Sequence, residues 1–233
     1  LGKKAGCGTP LNRPKFAIMN PELTYTLPKY QIASGIADIM MHTLERYFIP
    51  NQKNRLTDEI AEGVLRTVIE YGRIAVNDPT HYDAMSEIMW CGSLSHNDLT
   101  GLGRVKDFSV HKFGHALSAK YDVAHGASLT TIWGHWAKYV YENDLERFKH
   151  YAKAVWGIQT EDAKLAAEEA IERTVAYFKE IGMPTCISEL GVGEVSDETL
   201  RELSNSVSVG DTLVLSHIRK LRMEDVYQIY RMA

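Results

Sequence analysis

The 233-residue chain is 45% hydrophobic and 24% charged with a formal net charge of -4, the proportions of a globular protein able to bury a sizeable core. That balance provides no basic field for phosphate backbones, which disfavours general nucleic-acid binding, and no apolar run approaches the roughly 20 residues that cross a bilayer. Cys7, Cys91 and Cys186 lie far apart with no C-x-x-C pair, so they read as thiols of a reducing, cytoplasmic compartment rather than a disulfide framework or zinc ribbon.

The opening "LGKKAGCGTP" lacks the apolar core of a secretory signal. It begins at Leu1 rather than at a methionine, in a Gly/Lys/Pro-rich stretch expected inside a longer protein. Residues 1–28 hold Pro10, Pro14, Pro21 and Pro28 and read as an irregular arm, with "KFAIMNP" a candidate short buried strand. From 29 to 233 the pattern is helical throughout, and the fold class is all-α in one domain. The first helix follows Pro28 and runs towards Pro50. The second starts at a cap on Thr57 or Asp58 and stops before Pro79. "THYDAMSEIMWCGSLSHNDL" reads as a third, apolar on several faces and therefore buried. "FSVHKFGHALSAKY" and "HGASLTTIWGHWAKYVYE" give the fourth and fifth. The sixth closes at Gly157, the seventh ends at Gly182 and Pro184, and "DETLRELSNSVS" and "MEDVYQIYRMA" supply the last two.

Chemistry-bearing residues concentrate in two places. Asp38 and His42 stand four apart on the first helix, so both side chains leave one face. His111 and His115 repeat that spacing on the fourth helix, and His125 falls at or just before the start of the fifth. One carboxylate with several imidazoles from three elements suits a divalent metal. Imidazole accepts iron, zinc, copper or nickel, and the oxygen donor leans towards Fe(II) or Zn(II). On pattern alone the same residues are equally compatible with hydrogen-bonded side chains on ordinary helices.

"GIADIMMHTLERYF" together with "HKFGHALSAKYDVAHGASLTTIWGHWAKY" resembles the metal-binding region of the iron-containing (group III) alcohol dehydrogenases, in particular the butanol-dehydrogenase-like and NADPH-dependent aldehyde reductase branch. "RPKFAIMNPELTYTLPKYQIASGIAD" and the closing "MEDVYQIYRMA" are similar to it too, so the resemblance covers nearly the whole chain. It implies a helical metal-binding domain of the dehydroquinate-synthase-like type. It also implies hydride transfer between NAD or NADP and a primary alcohol or aldehyde. Asp38, His42, His111 and His125 fall on the metal ligands. His115 matches a further histidine beside substrate and nicotinamide, a candidate for proton relay or substrate positioning. The resemblance further implies an N-terminal nucleotide-binding domain as partner and a possible homodimer.

No G-x-G-x-x-G occurs, since "GCG", "GLG" and "GVG" lack the third glycine. The nucleotide-binding half is therefore expected outside this chain, which alone would turn over nothing. His81 and His96 read as capping or solvent-facing residues, and His150 and His217 as surface. His135 is a candidate for a substrate cleft walled by Trp133 or Trp136. An HD-type phosphohydrolase would need an adjacent His-Asp pair, and a di-iron bundle would need Glu-x-x-His; the sequence has neither. A helical binding or interaction module without redox activity is the alternative.

Overall fold

The computed structural model describes residues 9–50 and 54–233, and Cys7 lies outside them. Nine α-helices follow one another among the described residues: α1 (Lys29–Tyr47), α2 (Arg55–Ala75), α3 (Tyr82–His96), α4 (Ser109–Tyr121), α5 (His125–Val140), α6 (Leu145–Trp156), α7 (Ala163–Glu180), α8 (Asp197–Val207) and α9 (Met223–Met232). Short 3-10 turns join several of them, and one isolated bridge pairs Leu215 with Leu221. None of these helices is long and apolar enough to cross a membrane.

Helix α1 is the axle. Ile36, Ala37, Met40, Met41 and Leu44 are fully buried, because α2, α3, α4 and α5 pack on it from different sides. A helix covered on all sides keeps polar residues only where they find partners, which makes Asp38, His42, Glu45 and Arg46 informative. Its lower end meets an aromatic cluster in which Phe48 stacks on Phe148 at 4.3 Å and meets Tyr151 edge-on at 5.1 Å. Helices α6 and α7 pair on one flank, α8 and α9 on the other.

Helix ends follow local chemistry. Asp162 accepts from the backbone N–H of Lys164 and Leu165 to start α7, and Ser196 accepts from Thr199 to start α8. Gly157 and Gly182 close α6 and α7 at φ 68° and 85°, the left-handed conformation that a Cβ disfavours.

Three expectations change. "KFAIMNP" forms no strand: Phe16 and Ile18 are 81% and 87% exposed, because no neighbouring strand of the described residues offers it a ladder. Helix α3 is buried on one side only, with Trp90 54% exposed. The start of α2 lies at Arg55, ahead of the expected cap. Asp58 is instead drawn across the bundle by two guanidinium groups, Arg104 and Arg147. Arg147 also donates to the Tyr47 carbonyl and lies over the Tyr47 ring at 3.6 Å.

Those two guanidinium groups hold the Asp58 carboxyl below its usual range although burial pushes it the other way. Removing Asp58 leaves the buried Arg104 without its counter-ion, so Asp58→Asn is expected to destabilise the fold by about 3 kcal/mol near neutral pH. A depressed native pKa contributes stability above the unfolded-state value and loses it as pH falls. The gap between wild type and Asp58→Asn in urea unfolding is therefore expected to close below about pH 4. A gap that persists unchanged into acid would remove the ion-pair account.

Candidate metal centre

Asp38 and His42 share one face of α1, and Glu45 continues that face one turn further. Opposite them, α4 carries His111 and His115 while α5 opens with His125. The structure brings four of the expected residues around one atom. Asp38 Oδ1 lies 3.7 Å from His42 Nε2, 3.4 Å from His111 Nε2 and 3.5 Å from His125 Nε2. Two donors on ~2.1 Å arms of one tetrahedral ion stand ~3.4 Å apart. Asp38 Oδ1 and His111 Nε2 are nevertheless buried atoms that make no hydrogen bond. Donor atoms of Asp38, His42 and His111 lie within 4.8 Å of one another. Three imidazole nitrogens converging on one buried carboxylate oxygen are the donor set that a divalent cation takes.

The protonation pattern fits as well. Burial would push the Asp38 carboxyl up, but the neighbouring imidazoles of His111, His96, His42 and His125 hold it far below the usual carboxylate range. Burial, helped by the neighbouring His96, pushes His42 down to about 2. His111 is the exception: burial lowers it, yet Asp38 and Glu45 outweigh that and raise it to about 9. Without a cation, a proton on His111 is what two flanking carboxylates select.

Glu45 is the residue that the sequence reading missed. Its side chain is 1% exposed. Oε2 takes the Nδ1–H of His111, and Oε1 accepts from the backbone N–H of Val110 at 2.6 Å. One carboxylate thus caps α4, ties it to α1 and fixes the His111 tautomer so that Nε2 points at Asp38. Burial pushes the Glu45 carboxyl up, while the His111 imidazole and the Val110 N–H pull it back. Its position seven residues beyond Asp38 was a signal available in the sequence.

His96 is exposed, as expected, and it also reaches the cluster. At the end of α3 its Nε2 sits 3.3 Å from Asp38 Oδ2, and its ring lies 3.9 Å from that of His42. His81 does cap α3, accepting from Ala84 N–H. His150 is half exposed and bonds Glu62, and His217 is exposed.

His115 stacks beside His125 at 5.0 Å and lies 6.0 Å from His111. It also lines a groove of about 690 Å³ between α4 and α8, with Lys112, Ala116, Leu203 and Val207. Trp133 and Trp136 do not wall an open cleft, being 0% and 1% exposed. Both are core residues, Trp133 packed against Phe48 and Phe178, roughly two and three turns of α5 beyond His125. His135 Nε2 is engaged with the Thr185 carbonyl at 3.1 Å.

Close packing places His125. A Cβ on Gly126 would stand 2.1 Å from the Ser34 carbonyl oxygen, and the Gly126 N–H donates to Ser34 Oγ. The start of α5 is thereby pressed onto α1, one turn before Asp38.

Residues 31–233 match the family model described as Fe-containing alcohol dehydrogenase family, C-terminal. The chain is 38% identical over 231 residues to the NADH-dependent butanol dehydrogenase A of Clostridium acetobutylicum, covering 98% of this chain and 59% of that protein. It is 34% identical to an NADPH-dependent aldehyde reductase of Escherichia coli over 77% of this chain and 46% of the relative. The crystal structure of NADH-dependent butanol dehydrogenase A from Thermotoga maritima superposes with a TM-score of 0.91 at 30% identity, over 100% of this chain and 59% of that one. The chain thus spans about half of the length of the relatives that it matches, 46% to 59% of those named.

Glu45→Gln retains shape but loses the acceptor that fixes His111, and is expected to weaken divalent-metal affinity by about 10- to 100-fold. Gly126→Ala must move α5 off α1 and is expected to weaken it similarly while the other eight helices persist in far-UV circular dichroism. Calorimetric titration with Zn(II) checks both. Wild-type affinity in either variant would break the link drawn here between packing and donor placement.

Proposed function

The chain belongs to the Fe-containing alcohol dehydrogenase family, and on that premise we propose that it is the metal-holding catalytic half of an NAD(P)-dependent alcohol dehydrogenase or aldehyde reductase. Residues 29–233 form the metal domain. Residues 1–28 are the arm that leads from a nucleotide-binding domain, and the exposed Phe16 and Ile18 are the apolar side chains which that domain would cover. The substrate is a small primary alcohol or aldehyde, and the hydride partner is NAD or NADP.

The observation that carries this reading is the convergence of three imidazole nitrogens on Asp38 Oδ1, a buried acceptor with no hydrogen bond. Asp38, His42, His111 and His125 would hold Fe(II) or Zn(II). When bound, such an ion supplies Lewis-acid stabilisation of negative charge at the substrate oxygen. Glu45 keeps the Nδ1–H of His111 in place, so that its Nε2 stays available. His115 stands at the junction between this cluster and the groove along α8. A ring nitrogen of His115 there exchanges the hydroxyl proton of the alcohol, since imidazole does so near neutral pH. Apolar Ala116, Leu203 and Val207 orient the hydrocarbon part and exclude water.

Anaerobically purified chain is expected to carry about one iron or zinc, and Asp38→Ala or His125→Ala to carry almost none. Metal at a thousandfold excess over its Kd should add about 4 kcal/mol of stability, removed by chelator. Joined to a nucleotide-binding domain, the metal-loaded chain should oxidise NAD(P)H with a short aldehyde, and His115→Ala should retain metal but lose rate. Absence of metal after reconstitution with both ions would leave a helical module without redox chemistry.

A further inference from the structure

We propose that the groove between α4 and α8 takes the hydrocarbon chain of a straight-chain aldehyde or primary alcohol of about six carbons, and that Ala119 and the Lys120–Glu202 ion pair set that length. The inference rests on the dehydrogenase reading above and concerns the substrate of that same site. The groove encloses about 690 Å³. That is several times the room butanal needs at ~30 Å³ for each non-hydrogen group, so length rather than volume is the limit.

The direction of the groove follows from α4. Lys112, His115, Ala116, Ala119 and Lys120 line it as one stripe at helical spacing. His115 marks the end at the metal centre, because its ring stacks on that of His125. Lys120 marks the far end, where its Nζ donates to Glu202 Oε2 of α8 at 2.7 Å and bars the passage. Between His115 and Lys120 the helix rises ~7.5 Å, the reach of about six carbons in an extended chain.

The walls between those ends are apolar and do not close on each other. Leu203 and Val207 of α8 and Leu213 beyond it line the side across from the two alanines. Small residues can let helices meet closely, as Gly114 does for α4 on α5, yet here the space stays open. Val209 also lines it, in a conformation that core packing does not explain. It is 61% exposed and held at φ 51°, a left-handed backbone that a β-branched side chain rarely adopts. Neighbouring bonds pin that backbone: the N–H groups of Gly210 and Leu213 donate to the Asn205 and Ser208 carbonyls, each at 2.9 Å, and that of Asp211 to Ser208 Oγ at 3.2 Å. An apolar side chain held strained and exposed beside an apolar groove serves a ligand rather than the core.

Two readouts test this. The metal-loaded chain is titrated with hexan-1-ol while the Ala119 methyl resonance is followed, and the chain joined to a nucleotide-binding domain is assayed with straight-chain aldehydes from propanal to decanal. In wild type, hexan-1-ol should shift the Ala119 methyl. There kcat/KM should rise about fourfold per added methylene up to hexanal and level off beyond it. Ala119→Leu fills the groove one turn beyond His115, and its optimum should fall to butanal. Lys120→Ala removes the bar, and its optimum should move to octanal or longer. A purely structural role for these residues predicts no such opposite shifts. An unmoved Ala119 methyl, a kcat/KM that stays level from propanal onwards, or one shared optimum in wild type and both variants would overturn the proposal and leave the metal centre intact. The wild-type titration and series need no variant to fold. An enzyme that reduces no aldehyde of any length would instead remove the dehydrogenase reading, and this one with it.

Discussion

The fold is organised about a carboxylate that water scarcely reaches. Glu45 sits near the end of the most enclosed helix, and its oxygens serve the first N–H groups of α4 and the outer nitrogen of His111. A lone buried carboxylate is costly to desolvate, and only several donors together offset that. Here the donors come from a helix N-terminus, where backbone N–H groups are otherwise unsatisfied and the dipole favours negative charge. The same bonds that make Glu45 tolerable therefore fix the axial position of α4 against α1. Everything that α4 presents, His111 inwards and His115 towards the groove, inherits that register.

Much of this was legible in the sequence because helix geometry is short-range. Asp38 with His42 and His111 with His115 needed only a period of 3.6 residues to be placed on shared faces, and His125 needed only a recognisable helix start. The resemblance added the ligand assignments that periodicity alone left open. His96 was not legible, because nothing within α3 indicates that its last turn will lie over Asp38. Asp58 carried a genuine local capping signal, yet two arginines far along the chain competed for it and won. Trp133 and Trp136 follow His125 closely in sequence, and proximity along the chain was mistaken for proximity in space. The extended "KFAIM" stretch has strand composition but no partner among the described residues, and a strand is defined by its partner.

Small residues determine how tightly the parts meet. Gly114 lets α4 approach α5, since a Cβ there would stand 2.7 Å from Leu129 Cδ2 and 2.8 Å from Ser128 Oγ. Gly126 does the same for α5 on α1. Donors from three helices can surround one atom only if the helix axes come close, and side-chain bulk at either contact would open the triangle. The polar cluster and the glycine contacts are thus one device, the second fixing the distances that the first requires.

The bond from Glu45 to Val110 spans 65 residues of chain, and that separation has a kinetic side. Helices α2 and α3 lie wholly inside the loop it closes and pack on each other, so they can assemble from local contacts first. Closing the loop has an entropic cost that local helix formation does not share. Contacts that close this loop are therefore expected to form later in folding than the local packing of α2 on α3. The donors of α1, α4 and α5 meet only when that loop is closed, so the binding centre requires the long-range packing and not the helices alone.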